Sequence, residues 1–274
     1  MDTPSFNDYH STKPEGEVMA EMAEFLATQH ASGIPVLGIL HLQRITDVRM
    51  KKSSLMCLRL LGSLVGEAAL QNTILVTTMW DKLAEDDQYV ALRREQALIN
   101  NFWASMVDKG SSMGRFDGTP NSAYSLVFRL VGKQRVILDM QKQILDDDMF
   151  VLETSAGSYL ASQLEKEKEE YQREIADVES LLQRELRSQS QDRAMMRTLN
   201  SEKIRLAGEI LQNANSIDYM KVRPGESIRE RVQQAIKDAG VKARRNPVVA
   251  LTTVLGLDLF VVQLEIGDWS EGGF

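Results

Sequence analysis

The chain has 274 residues, 43% of them hydrophobic and 26% charged, a globular composition that provides for one core plus a substantial extension. Its formal net charge of −7 argues against a general nucleic-acid surface, which needs clustered Lys and Arg; the short run Lys242-Ala243-Arg244-Arg245 is the local exception. A single cysteine, Cys57, excludes an internal disulfide framework and a multi-cysteine zinc site, and the acidic, polar N-terminus carries no secretory signal, so the sequence reads as cytoplasmic with Cys57 as a small core residue.

In chain order, Val18, Met22, Phe25 and Leu26 recur at helical spacing, and Gly33 with Pro35 closes that helix ahead of a strand over 36–42. Leu55, Leu58, Leu61, Leu64 and Val65 predict a second helix, and the β-branched run Thr73 to Thr78 a second, buried strand. Leu92, Ile99, Trp103 and Met106 mark a third helix, 110–119 a loop with room for a short strand, and Ala123, Val127, Leu130 and Val131 a further helical stripe. Strand and helix alternating in this way predict an α/β fold with a parallel sheet covered by helices. Beyond about residue 150, charged residues and Gln dominate and no proline occurs before Pro224, which predicts a long helix over 150–222. A 3-4 spaced seam from Ala161 to Ile210 supports coiled-coil or helical-hairpin packing, and it lapses between Glu185 and Asp192. Ile228, Val232 and Ile236 begin a shorter amphipathic helix within 223–274. The apolar stretch 247–264 has Asp258 near its middle, a cost of roughly 2.5–3.5 kcal/mol in a membrane. Burial against the domain or a partner is therefore preferred to a span.

Two short motifs carry chemistry. Asp2-Thr3-Pro4-Ser5 has the form of the D-x-x-G switch of P-loop GTPases, with Asp2 at the position that holds magnesium through water and Ser5 at the position whose backbone N–H senses the terminal phosphate. A serine there keeps the donor but restricts the backbone. Alone, the same residues read more readily as a turn or a helix cap. Thr78-Met79-Trp80-Asp81, directly after the second strand, fits the guanine-reading loop except that Met79 stands where a lysine is usual. One carboxylate there, Asp81, would accept two hydrogen bonds from adjacent N–H groups on the guanine edge, which adenine cannot offer. Alone, this too reads as a helix cap following a strand.

Taken together, Asp2 to Asp8, His41 to Met50 (H-L-Q-R-I-T-D-V-R-M) and Val76 to Asp81 (V-T-T-M-W-D), continuing through Phe102-Trp103 and Arg115 to Thr119, resemble a fungal family of G-domain-containing proteins related in pattern to septins and immune-associated GTPases. The resemblance implies a partial three-layer P-loop GTPase-type sheet over 1–145, with GTP or GDP and Mg2+ as ligands, Thr78, Met79, Asp81 and Ser5 at the nucleotide and Asp2 at the metal. Only Met1 precedes Asp2, so the expectation is that the phosphate-cradling G-x-x-x-x-G-K-[ST] loop is absent; Gly132-Lys133, within a helix-like segment, cannot replace it. Nucleotide binding is then expected to be weak and hydrolysis slow or lost. In that fold three further strands lie beside the strand over 36–42, so an exposed apolar edge is expected, covered by the C-terminal apolar segment or another chain. The alternative is a non-catalytic interaction or scaffold protein that uses a degenerate G domain and pairs or self-associates through its helical extension. His10, His30 and His41 are too scattered for a ligand cluster, 86–87 and 146–148 lack a calcium-loop pattern, and no G-x-S-x-G elbow supports a hydrolase triad.

Overall fold

The computed structural model describes residues 13–188 and 192–225; Asp2, Ser5, Lys242 to Arg245 and the apolar stretch 247–264 lie outside the described residues. Glu15–Ala31 (α1) starts with Glu15 and Glu17 in its first turn, where carboxylates suit the helix dipole, and buries Val18, Met19, Met22, Ala23, Leu26 and Ala27. Phe25, expected in that stripe, remains 37% exposed. The first strand is Ile39–Arg44 (β1), shifted towards the C-terminus from the expected 36–42. The shift has a local cause. Val36 instead bridges Val136 in antiparallel fashion, and Asn72 Nδ2 donates to both the Leu37 carbonyl (2.7 Å) and the Gln134 carbonyl (2.8 Å), so the chain joins the sheet only after Gly38. A Cβ on Gly38 would stand 2.5 Å from the Asn72 carbonyl oxygen, which explains the glycine.

Lys52–Val65 (α2) stops at Gly66, whose φ of 75° few other residues adopt. Thr73–Thr78 (β2) follows, buried at every position as a strand covered on both faces must be. Gln88–Leu98 (α3) runs through a π-helical turn, Ile99–Trp103, into Ala104–Asp108 (α4), so the third predicted helix is one rod with an inserted wide turn. Ser112–Arg115 (β3) is the short strand for which the loop had room, and Pro120–Phe128 (α5) is capped by Thr119, whose hydroxyl accepts from Ser122 N–H at 3.2 Å. Leu126 and Leu130 are the buried residues here; Val127 and Val131, expected in the stripe, are exposed because α5 ends at Phe128 and the chain turns.

The sheet is wholly parallel, in the order β1-β2-β3, with Ile39 opposite Thr73 and Ile74 opposite Ser112. Period-two alternation splits β2 between two cores. Ile74 and Val76 meet Leu126 and Leu130 on the α5 side, and Leu75 joins the larger core on the other. Helices on both faces of a parallel sheet make this an α/β protein.

Asp139–Leu145 (α6), which periodicity did not reveal, buries Met140, Gln141 and Ile144. Ser155–Arg187 (α7), capped by Thr154, and Arg193–Tyr219 (α8), capped by Asp192, turn back on one another where the seam lapses, with Asn213 Nδ2 donating to the Leu164 carbonyl and Lys203 paired with Glu179 at 2.6 Å. The base of this hairpin belongs to the main core: Ala156, Leu160, Leu164 and Met220 pack with α1, α2 and α6 residues, and Val151 and Leu152 N–H groups donate to the Val222 and Met220 carbonyls. Cys57 is half-buried rather than in the core.

His41, on the inward face of β1, has a buried Nε2 with no hydrogen-bond partner, and burial pushes its pKa down from 6.5 to about 4. The unfolded chain therefore takes up a proton near pH 6.5 that the fold refuses until about pH 4. Stability is expected to be full above about pH 6.5, to decline as the pH falls towards 4 and to level off below that. Urea midpoints measured across this window should show that slope, and His41→Leu should flatten it.

Candidate functional site

The candidate loop sits outside the carboxyl end of β2, where open parallel sheets place their ligand sites. It is held on both flanks by backbone: Ile45 N–H donates to the Thr78 carbonyl at 3.0 Å, and Phe116 N–H to the Thr77 carbonyl at 2.8 Å. Thr78 is buried. Met79 then adopts the left-handed conformation, φ 64° and ψ 29°, with its side chain 39% exposed. A non-glycine residue held there stores backbone strain, which surrounding structure must enforce.

The enforcing network is legible in the contacts. Trp80 Nε1–H donates to Thr77 Oγ1 at 3.0 Å, and the Thr77 hydroxyl donates to Glu95 Oε1 at 3.0 Å. Arg115, the last residue of β3, donates from Nε to Glu95 Oε1 at 2.9 Å, pairs through Nη2 with Glu95 Oε2, and lays its guanidinium 4.4 Å above the Trp80 ring. The Glu95 hydrogen bonds raise the pKa of Arg115 still further, so the guanidinium stays charged. One carboxylate from α3 thus ties the ends of β2 and β3 to the indole between Met79 and Asp81.

Asp81 points elsewhere. Its carboxylate is 41% exposed, with Lys82 Nζ 3.1 Å from Oδ2. It caps no helix: Trp80–Lys82 forms a single 3-10 turn with no side-chain cap, and α3 has Asp87 at its N-cap position, also without a side-chain cap. The ordinary reading of T-x-x-D as a cap therefore fails here. Gly118, at φ 89°, lies against Asp81, and a Cβ added there would stand 3.3 Å from the Asp81 carboxyl carbon. The neighbouring turn is stiffened by Asp117, whose Oδ1 accepts from Thr119 N–H at 2.9 Å and from the Thr119 hydroxyl at 2.6 Å. Hydrogen bonds from Ser122 and Thr119 hold the Asp117 carboxyl down at about 2.

The structure therefore brings Thr78, Met79 and Asp81 together with 115–119, two stretches that the sequence singles out separately. Glu95 was missed because its partners Thr77 and Arg115 lie 18 and 20 residues away, and nothing local marks Thr77, although it falls within V-T-T-M-W-D, as the residue that joins Trp80 to Glu95. The one usable signal was Trp80, whose indole N–H needs an acceptor when half-buried. Among the described residues no group of three His, Cys, Asp or Glu could hold a metal ion, and no helix is long and apolar enough to cross a membrane. Comparison with protein-family models, curated proteins and solved structures found no match to this chain.

Proposed function

We propose that this is a GTPase-like protein of the guanine-nucleotide-binding class, a partial P-loop GTPase-type fold in which Thr78 to Asp81 read the base, with weak affinity and slow or lost hydrolysis. The observation that carries the reading is Asp81: an exposed carboxylate at the carboxyl end of a buried strand, used for no cap, beside the backbone of Gly118 from the next βα loop. Two adjacent N–H donors of a guanine edge match what a carboxylate in that place lacks. The residues that would meet magnesium and phosphate, Asp2 and Ser5, lie outside the described chain, and no step of hydrolysis is assigned to the others. Titration of a fluorescent guanine nucleotide with magnesium should saturate, adenine nucleotide should not, and Asp81→Ala should cost at least about tenfold in affinity, in line with the loss of a charged hydrogen-bond acceptor. Equal binding of both bases, or an unaffected Asp81→Ala, rejects it.

A second reading, an interaction protein working through the hairpin, is favoured by Ile204 and Leu211 of α8, 73% and 62% exposed despite the packed partner helix. Light scattering of the full chain should then give a mass above 30.8 kDa. Mutating both residues to lysine should restore that value.

A further inference from the structure

Apart from the candidate loop, a second unexplained feature is a groove of about 980 Å³ along the outer edge of β1. β1 pairs with β2 on one side only, and among the described residues no strand lies beside its other edge. Such an edge presents a row of backbone N–H and C=O groups. The groove is lined by Met22, Phe25 and Leu26 of α1 and by Leu60, Leu61 and Leu64 of α2, helices that share the main core. Leu42 on its floor is 62% exposed, and Leu40, Leu37 and Ile34 are exposed beside it. The alternation of β1 explains the pattern: Ile39, His41 and Gln43 turn towards the main core, whereas Leu40 and Leu42 face the α5 side, and α5 covers only Ile74 and Val76.

The groove is not uniform in charge. At the carboxyl end of β1 it is lined by Arg44, Lys51 and Asp47, with Asp47 the one acidic residue and engaged by Arg44 at 2.9 Å. Lys51 makes no ion pair among the described residues. It is the N-cap of α2, whose first turn has no acidic residue to offset the positive end of the helix dipole. One end of an apolar slot is therefore cationic.

We propose that this groove is a strand-addition site: it receives an extended strand of a partner polypeptide, apolar beside Ile39–Arg44 and carrying carboxylates at the end that meets Arg44 and Lys51. Only an extended backbone can satisfy a repeating row of edge donors and acceptors, and the α1 and α2 residues take the side chains that turn to the main-core face, while the alternate ones lie beside exposed Leu40 and Leu42. The acidic end follows from charge complementarity. This proposal stands apart from the nucleotide reading and uses none of its residues.

The test uses the full chain and a fluorescein-labelled peptide of alternating valine and leucine, six residues long to match β1, ending in aspartates. Control peptides end in lysines or carry N-methyl groups on alternate residues. The aspartate-ended peptide should bind saturably, with roughly tenfold lower affinity for the lysine-ended one and none for the N-methylated one. Leu42→Lys, at an already exposed position, should abolish binding without changing the circular dichroism. In hydrogen exchange, the outward amides of Ile39–Arg44 should be fast in the free protein and slow with peptide. Absence of saturable binding, indifference to the terminal charge, or indifference to N-methylation overturns the proposal. So does protection of those amides without peptide: in a dilute monomer it assigns the groove to the protein's own chain, and with a doubled mass to a second copy.

Discussion

Gly16→Ala is expected to lower the stability of the protein by about 3 kcal/mol, an effect of steric overpacking rather than of helix propensity. Alanine is the better helix former, so propensity alone predicts the opposite sign. The packing decides. An ideal Cβ at Gly16 would stand 1.7 Å from the Ser216 carbonyl oxygen and 2.5 Å from its carbon, both backbone atoms that no rotamer change can move. Relief requires α1 and α8 to separate, and the same contact region holds Met220, which is fully buried against the main core. Urea denaturation should show the lowered midpoint. Gly62→Ala in α2 is the matched control: nothing lies within 4 Å of its Cβ, so the helix gain of about 0.5–1 kcal/mol should emerge undiminished. Equal stability of Gly16→Ala and the wild type would mean that the two helices do not approach in this way.

Glu95→Ala should cost about 2 kcal/mol, less than a buried ion pair would because Arg115 is half exposed. The side chain of Glu95 is itself only 14% exposed, and its loss leaves the Thr77 hydroxyl without the acceptor it holds at 3.0 Å. Arg115 would retain only the ring of Trp80. The consequence beyond stability is local: with the tie gone, nothing in the network enforces the left-handed Met79. A red shift in the Trp80 contribution to fluorescence, obtained by difference from Trp80→Phe, should report the loosened indole. Glu95→Gln, which keeps an acceptor for Thr77, should show a smaller shift. For the guanine-reading proposal the same pair of variants should lower guanine-nucleotide affinity in the same order. A stability loss with no spectral change would place Glu95 in the fold alone.

How far these features can be read in the sequence depends on how local their causes are. β2 was legible because a strand buried on both faces needs an unbroken β-branched run, and Thr73 to Thr78 provides one. The single long helix expected over 150–222 is instead two, α7 and α8, and the lapse in the seam between Glu185 and Asp192 falls where one ends and the other begins. The register of β1 was not legible, since Asn72, far along the chain, decides where the strand joins the sheet. Phe25 was misjudged for a related reason. Periodicity identifies an apolar face, but whether anything covers that face is a property of the whole fold. In the candidate site the chemistry of Asp81 could be inferred from its residue type and place. The Glu95 tie between β2 and β3 could not, because sequence separations of 18 and 20 residues leave no pattern.

The hairpin has a mechanical consequence. In α7, buried residues cluster between Ala156 and Leu164, and the outermost contact with the body is Lys52, which reaches Glu167 and Glu170. From Tyr171 to Arg187, among the described residues, the helix runs alongside α8, a length of roughly 25 Å at 1.5 Å per residue. A rod of that length anchored at one end is a lever: force or binding at its tip exerts a torque on Leu160, Leu164 and Met220, which share one core with α1 and α2. The stiffness of the rod, set by the Asn213 and Lys203 contacts between its two helices, determines how much of that torque reaches the sheet.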